Sequence, residues 1–428
     1  MSDKEKQLNI TAPTSWWKKI AKSISLSTER SNDTGDTTSF LSCALFDADE
    51  DGFLTISAES GPSKTHIQVD PEDDLVSVEG YGVFMIKSTD ITNSVNSLPE
   101  DDVTFSFYDK EVIVETSSGH ISFSCPLISI FNDDATPQAS HKFDKNSIIA
   151  VCDGEELLKK YRAGSTMSAE MSKDKDIQLS PLHACAISLI EEGIQIFSFA
   201  SSSAESFIST ETEYVGKRKD PITSIQSLTQ PDVMLQRIPI FTDSDEIAIG
   251  IGDNRHVHIE DDYIHMDISP LNLVNNTNAD KNVNISKIMR LVEPLWESRV
   301  VSVKVSSKEF FAALSRAASV KSDGLTLEIT DTEILMKSMN VDGRTPFHQT
   351  IECSTQWHDD DAHKYVVNIN ISSIRKISSM VSSLPSISFD ISTYEVTSSA
   401  IPAVMVIKID EEYDHNDPHD FFVIPTIR

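Results

Sequence analysis

Three tight turns between alternating segments recur at nearly constant intervals along this 428-residue chain. They lie at Gly52, Gly193 and Thr332, offsets of 141 and 139 residues. Each joins two runs in which apolar and polar residues alternate, the period of a half-buried strand. Hairpins in the second half of each interval start at Val103, Ile247 and Ile387, again 144 and 140 residues apart. A period of this length exceeds that of a solenoid and matches a whole domain. The chain is therefore expected to form three repeated domains, 1–140, 141–284 and 285–428. Each is expected to carry two helices packed on antiparallel sheets, an α+β class.

The third copy is the most legible. Val301, Val303 and Val305 alternate with polar partners, and Ser306 followed by Glu309 is a capping-box start. Phe310, Leu314 and Ala317 then fall on one helical face, with Phe311 and Ala318 beside them. The other face, Lys308, Ala312, Ser315, Arg316 and Ser319, is small or basic and has no acid. Further helices are expected at 14–28, 89–98, 153–162, 220–228 (resuming after Pro231) and 371–384. Polar stretches at 29–38, 163–178 and 275–284 read as loops, and the segment from Asn275 to Ser298 as an interdomain connection.

Composition matters mainly through where the charge sits. A net charge of −31 taken alone opposes nucleic-acid binding. Yet the segments 14–28, 84–98, 153–162, 217–237, 304–321 and 364–384 hold 18 Lys and Arg against 7 Asp and Glu. The remaining residues hold 18 basic and 60 acidic groups. If these helices line one surface, it is basic inside an acidic shell, suited to phosphate contact without base reading.

Other motifs carry less. Asp47, Asp49, Asp51 and Gly52 open like a calcium loop, but position 12 is Ala58 and both flanks alternate like strands, so a solvated hairpin turn is expected. His256, His258 and His265, with Asp261 and Asp262, invite a metal reading. A surface hairpin is the plainer one, and neither metal nor cofactor is expected. Five scattered cysteines without a CxxC pair read as reduced core thiols. The charged N-terminus lacks an apolar signal core, so a cytoplasmic protein is expected. No nucleophile elbow, P-loop, HExxH or dinucleotide fingerprint occurs, and no enzyme is expected.

With these features in place the sequence resembles the bacterial DNA polymerase III beta subunit, the sliding clamp. The likeness rests on LPEDDVTFSFYDKEVIVETSSGHISFSCPLI, VSVKVSSKEFFAALSRAASV, NINISSIRKISSMVSSL and the terminal FFVIPTIR. The resemblance implies a head-to-tail homodimeric ring of six domains, with twelve helices lining a hole for double-stranded DNA. It implies a processivity factor placed on the nucleoid by a clamp loader and tethering a replicative polymerase. The DNA-facing residues it implies are Lys18, Lys19, Lys22, Lys159, Lys160, Arg162, Lys308, Arg316, Arg375 and Lys376. A partner-peptide pocket would use Leu291, Phe207, Phe422, Ile424, Pro425 and Thr426. The family's T-D-G-H-R-L-like turn is replaced here by FASSSAESFI at 199–208, without the His-Arg pair. The divergence and the longer polar loops would suit a phage- or plasmid-borne clamp. Other readings are a non-catalytic protein-interaction scaffold of the same repeated fold and an unrecognised hydrolase.

Overall fold

The structure is a computed structural model describing residues 7–29, 40–60, 62–99, 101–116, 122–126, 148–168, 183–190, 193–198, 207–208, 225–252, 255–271, 298–320, 324–338, 347–358, 362–393, 404–408 and 421–427. Of the loops expected at 29–38, 163–178 and 275–284, residues 30–38, 169–178 and 275–284 lie outside these residues, whereas 163–165 extend a helix; also outside are a strand expected at 211–215, the connecting segment at 275–297 and most of 199–208.

In chain order the described elements begin β1 (Leu8–Pro13), α1 (Thr14–Leu26), β2 (Cys43–Ala48), β3 (Leu54–Ser60), β4 (Ser63–Val69), β5 (Ser77–Gly80) and β6 (Gly82–Lys87). There follow α2 (Ser88–Asn96), β7 (Asp102–Phe107), β8 (Glu111–Thr116), β9 (Ser122–Pro126), β10 (Ile148–Cys152) and α3 (Gly154–Ser165). Next are β11 (Cys185–Ile190), β12 (Gly193–Ser198), β13 (Phe207–Ile208), β14 (Ile225–Thr229), α4 (Pro231–Arg237), β15 (Ile247–Ile251), β16 (Val257–Glu260) and β17 (Ile264–Ile268). The last are β18 (Arg299–Ser306), α5 (Ser307–Ser319), β19 (Gly324–Thr330), β20 (Glu333–Ser338), β21 (His348–Trp357), β22 (Lys364–Asn370), α6 (Ile371–Val381), β23 (Ser386–Ser392), β24 (Val404–Lys408) and β25 (Phe421–Ile427).

The hairpins that set the repeat are present as β2–β3, β11–β12 and β19–β20, and as β7–β8, β15–β16 and β23–β24. By contact the chain divides into two compact units. One comprises Met1–Leu158, Glu213–Ser227 and Asp232–Pro270, the other Lys159–Thr212, Leu228–Pro231 and Leu271–Arg428.

The first unit holds two antiparallel sheets. One has the order β5-β1-β7-β8-β9, the other β10-β15-β16-β17-β4-β3-β2-β6. The eight-stranded sheet is continuous because β17 pairs with β4, Met266 opposite Thr65, although some 200 residues of chain separate them. The chain crosses between the two sheets at the β5–β6 corner. Gly80 (φ +89°) is required there, since a Cβ would lie 2.2 Å from the Gln7 carbonyl oxygen.

Helix α1 is amphipathic as its spacing dictates. Trp17, Ile20, Ala21 and Ile24 are buried, while Lys18 and Lys22 are exposed. Trp17 stacks on Phe105 with ring centroids 3.8 Å apart, and its indole N–H donates to the Val103 carbonyl at 3.1 Å. That bond satisfies the one polar atom of a fully buried ring. At the C-terminus of α1 the buried Arg237 guanidinium donates to the Leu26 carbonyl and, at 2.8 Å, to Ser63 Oγ. Burial lowers its pKa to about 10.

The second unit is built on a nine-stranded sheet, β13-β25-β22-β19-β20-β21-β18-β23-β24, in which β25 pairs also with β24. The sheet therefore closes on itself, and its turning strand is β21. Up to Glu352 that strand pairs with β20, and from Cys353 onward with β18. Phe310, Leu314 and Ala317 of α5 and Ile374, Ile377 and Val381 of α6 fill the enclosed core, which also takes Phe389, Phe422 and Ile424. Both helix starts are capped. Ser306 Oγ accepts from the Glu309 N–H at 3.4 Å, and Asn370 Oδ1 from the Ser372 N–H at 2.8 Å.

One expected element is wrong. Residues 225–228, expected to lie in a helix, belong to strand β14, and helix α4 starts only at Pro231. The apolar spacing of Ile222, Ile225 and Leu228 suits a helix, but β11 offers a neighbouring strand and long-range pairing overrides local preference. Strands β1, β6, β10 and β22 fall outside the expected elements: β6 and β10 are almost continuously apolar, and β1 and β22, though alternating, run directly into helix starts.

Candidate nucleic-acid interface

Three helices present exposed faces of one character. On α1 the exposed residues are Ser15, Lys18, Lys22 and Ser25, and on α6 they include Ser372, Arg375, Lys376 and Ser379. On α5 they are Lys308, Glu309, Ser315, Arg316 and Ser319. The pattern follows from burying one apolar stripe per helix: cations and small hydroxyls are left outside. Short serines keep the backbone accessible to a bulky polyanion while Lys and Arg supply the field.

The expected cations do not share one fate. Lys18, Lys22, Lys159, Arg162, Lys308, Arg316, Arg375 and Lys376 are exposed, and Lys160 is half-buried. Arg316 Nε donates to Gln349 Oε1 at 3.0 Å, which orients its guanidinium. Lys19 is engaged within its own unit, with Nζ 2.7 Å from Asp261 Oδ2 and 3.3 Å from Ser244 Oγ. Asp261 is a turn residue whose other oxygen accepts from the Tyr263 and Ile264 N–H groups. Lys19 therefore fastens α1 to the β16–β17 turn, and its charge is locally neutralised.

The described helices also carry less charge than the broader sequence windows suggested. Lys87, Lys304 and Lys364 lie on strands, and Arg237 is buried. The exposed residues of α2 and α4 include no cation. Acids and bases are mixed on α3, where Glu155 and Glu156 precede Lys159 and Arg162. Position Arg237 looked like one more surface cation; nothing in its spacing signalled that it caps α1 from within.

The residues expected to form a peptide pocket meet at β25. Phe422 and Ile424 are fully buried members of the second unit's core. The backbone of Phe422 pairs with Phe207 of β13 and with Ile407 of β24. Pro425 and Thr426 continue the strand opposite Val404 and Ile369. Leu291 lies outside the described residues.

The histidine hairpin is used up internally. His256 Nδ1 is 2.5 Å from Asp267 Oδ1, His265 Nδ1 is 3.1 Å from Glu260 Oε2, and the His258 and His265 rings stack at 5.5 Å. Among the described residues no three His, Cys, Asp or Glu side chains converge on a metal position. In the β2–β3 turn, Asp49 Oδ1 accepts from the Asp51 and Phe53 N–H groups at 2.9 Å, an Asx turn.

Burial holds His258 below the usual 6.5; Asp267 opposes this, and His265 and His256 add to it. Glu260 also faces this group, and Lys64 and His66 lie on the adjoining strand. A histidine lowered in the fold stays neutral there and takes up its proton on unfolding. Stability is thus complete above about pH 6.5 and declines as pH falls through that value toward the folded pKa. Burial raises the Asp267 carboxyl, but the hydrogen bond from His256 and the neighbouring imidazoles outweigh this and leave it below 3.8. Its contribution is lost only at still lower pH. Thermal unfolding followed from pH 7.5 to 5.5 is expected to show a falling midpoint, and His258→Gln is expected to flatten that slope. An unchanged slope in the variant would assign the effect elsewhere.

Cys43, Cys152 and Cys185 are buried thiols outside any disulfide among the described residues, and Cys353 is half-buried. Burial pushes Cys152 up to about 12 and Cys353 to about 11, which makes them poor nucleophiles. No described helix is long and apolar enough to cross a membrane.

No protein-family model and no curated protein sequence matches this chain. Solved structures do. The DNA polymerase III beta subunit of Thermotoga maritima is 14% identical with a TM-score of 0.69, the match covering 99% of this chain and 100% of that one. A Pseudomonas aeruginosa sliding clamp bound to griselimycin is 12% identical with a TM-score of 0.71, at 99% and 100% coverage. A Bacillus subtilis sliding clamp is 12% identical with a TM-score of 0.67, covering 99% of each chain. The chain therefore has, over essentially its whole length, the fold of the bacterial DNA polymerase III beta subunit sliding clamps.

Proposed function

We propose that this chain is a DNA sliding clamp, a non-catalytic processivity factor. Two copies would close head to tail around duplex DNA, each contributing domains 1–140, 141–284 and 285–428. The observation that carries the reading is the pairing of that fold with the acid-poor, Lys/Arg/Ser faces of α1, α5 and α6 in a chain of net charge −31. Lys18, Lys22, Lys308, Arg316, Arg375 and Lys376 would face the phosphates, joined by Lys159, Lys160 and Arg162, while the acidic remainder repels DNA from the outside. Lys19 would act chiefly through Asp261. A replicative polymerase and a clamp loader would be the partners, in the cytoplasm at the nucleoid. The pocket of Leu291, Phe207, Phe422, Ile424, Pro425 and Thr426 would take their peptides.

The mechanism is topological. A closed ring leaves DNA only by opening or by running off an end, so each phosphate contact can be weak and mobile. The test is retention of the labelled protein, loaded onto nicked circular DNA and then challenged by linearisation. The expected result is stable retention on the circle and rapid loss once an end exists. Equal retention on both would overturn the ring. No retention on either, with an intact ring in electron micrographs, would favour a protein-interaction scaffold of the same fold.

A further inference from the structure

The eight-stranded sheet of the first unit turns one face toward α1, and at the β6–β2–β3 end of the other face Val83, Asp47 and Phe53 are exposed. Ser63, Thr65 and Ile67 of β4 lie on the α1 side, where Thr65 bonds to Ser27 and to the Ser23 carbonyl. The opposite face carries Val83 beside Asp47, and Asp47 beside Thr55, in register across β6, β2 and β3. One step further, the Asp49 N–H bonds to the Phe53 carbonyl, which sets Phe53 against Asp49 at the same end of the sheet. Tyr81 occupies the corner between β5 and β6. The exposures of Phe53, Tyr81 and Val83 are 47%, 61% and 45%. Leu75, 46% exposed, belongs to the adjoining 70–76 loop, whose Pro71 packs on Gly52.

Scattered exposed apolar residues need no explanation, but these cluster. Of the five large hydrophobic residues notably exposed among the described residues, four lie here: Phe53, Leu75, Tyr81 and Val83. On the same face Val83 adjoins a buried apolar cluster of Cys43, Leu45 and Met85. Tyr81 lies between Gly80 and Gly82, both at positive φ, and its N–H donates to the Gln7 carbonyl at 3.2 Å. The rim is predominantly acidic. Between Cys43 and Lys87 there are ten Asp and Glu residues and two Lys; Lys64 is 2.6 Å from Glu59, and Lys87 lies opposite Cys43.

We propose that this outward corner is a protein-docking surface whose occupant is a lysine- or arginine-rich segment of another protein bearing an aliphatic or aromatic anchor. The anchor would seat against Phe53, Tyr81 and Val83, and its flanking cations would meet Asp47, Asp49, Asp51 and Asp70. DNA is repelled by the same rim. A second copy carries its exposed cations on helix faces that the proposed function assigns to DNA. The surface lies on the sheet face opposite α1, and the inference stands whether or not the ring forms.

The probe is a fluorescein-labelled peptide of alternating Lys with interspersed Leu and Phe, titrated with the full chain and followed by anisotropy. An all-Lys peptide of equal length is the control. Saturable binding is expected, about tenfold weaker for the Phe53→Ser, Tyr81→Ser, Val83→Ser triple variant, as for truncation of an anchor site. Asp47→Asn with Asp49→Asn is expected to weaken binding and reduce its salt dependence. The replaced side chains are exposed, so the variants should fold, with retention on circular DNA unchanged. Equal affinity of the triple variant overturns the proposal. Equal affinity for the all-Lys peptide reduces the corner to a counterion surface and also overturns it. A change in oligomeric state of the triple variant by sedimentation velocity would make the occupant a second copy, against the proposal.

Discussion

Glutamate at Lys18, Lys22, Lys308, Arg316, Arg375 and Lys376 together is expected to abolish direct, salt-sensitive binding to duplex DNA, and with it loading onto circles, while leaving the fold intact. All six are exposed, and among the described contacts only the Arg316 side chain makes a hydrogen bond, to Gln349. Surface changes of this kind shift stability little, typically within about 0.5 kcal/mol each. Their effect on DNA is far larger. Each neutralised phosphate contributes about 0.9 to the slope of log K against log salt, so even partial loss across two copies costs orders of magnitude. Single variants are expected to reduce the slope by about one and weaken binding alike for all sequences. Lys19→Glu should behave differently, since its partner is Asp261: it should lower the unfolding midpoint more than DNA retention. If the sextuple variant bound duplex DNA as tightly as the parent and with the same salt dependence, the basic faces would not be the DNA surface.

The second large effect is expected at a buried charge pair in the second unit. Lys408 Nζ lies 3.0 Å from Asp390 Oδ2, with side chains 2% and 0% exposed. Asp390 on β23 faces Ser302 of β18, and Lys408 lies on the neighbouring β24. Burial drives the Lys408 pKa down, Asp390 pulls it up, and Arg299 adds to the lowering. Lys408→Met leaves an uncompensated carboxylate in that place and is expected to cost about 3–5 kcal/mol. Lys408→Met combined with Asp390→Leu should recover most of the loss, because a hydrophobic pair of similar volume avoids the desolvation of both ions. Urea unfolding of the three proteins measures this directly. A double variant no better than the single would mean that the ions are held by more than each other.

The two effects separate what the linear sequence carries from what packing creates. The exposed cations could be read because a helix writes its outside and inside at 3.6-residue spacing, and Lys18, Arg316 and Arg375 fell opposite Ile20, Leu314 and Ile374. Ser306 and Glu309 marked the start of α5 for the same local reason. Hairpins were legible too, since their partners are a few residues apart and alternation is strong on both sides.

Charge at positions bound over long range could not be read. Lys19, Arg237 and Lys408 each look like solvated cations, yet they meet Asp261, the α1 carbonyl end and Asp390. Nothing local reports a partner tens or hundreds of residues away. Strand β14 failed similarly, because its neighbour β11 is distant in sequence and its side-chain spacing suits either conformation. The apolar corner at Phe53, Tyr81 and Val83 emerged only when β2, β3 and β6 were laid side by side. Local spacing carries the hairpins and the polarity of the helix faces, both set by interactions within about a turn or a hairpin. Tertiary structure decided which sheets became continuous, which charges were buried and which apolar residues stayed outside, because strand pairing and burial depend on neighbours that no local pattern names.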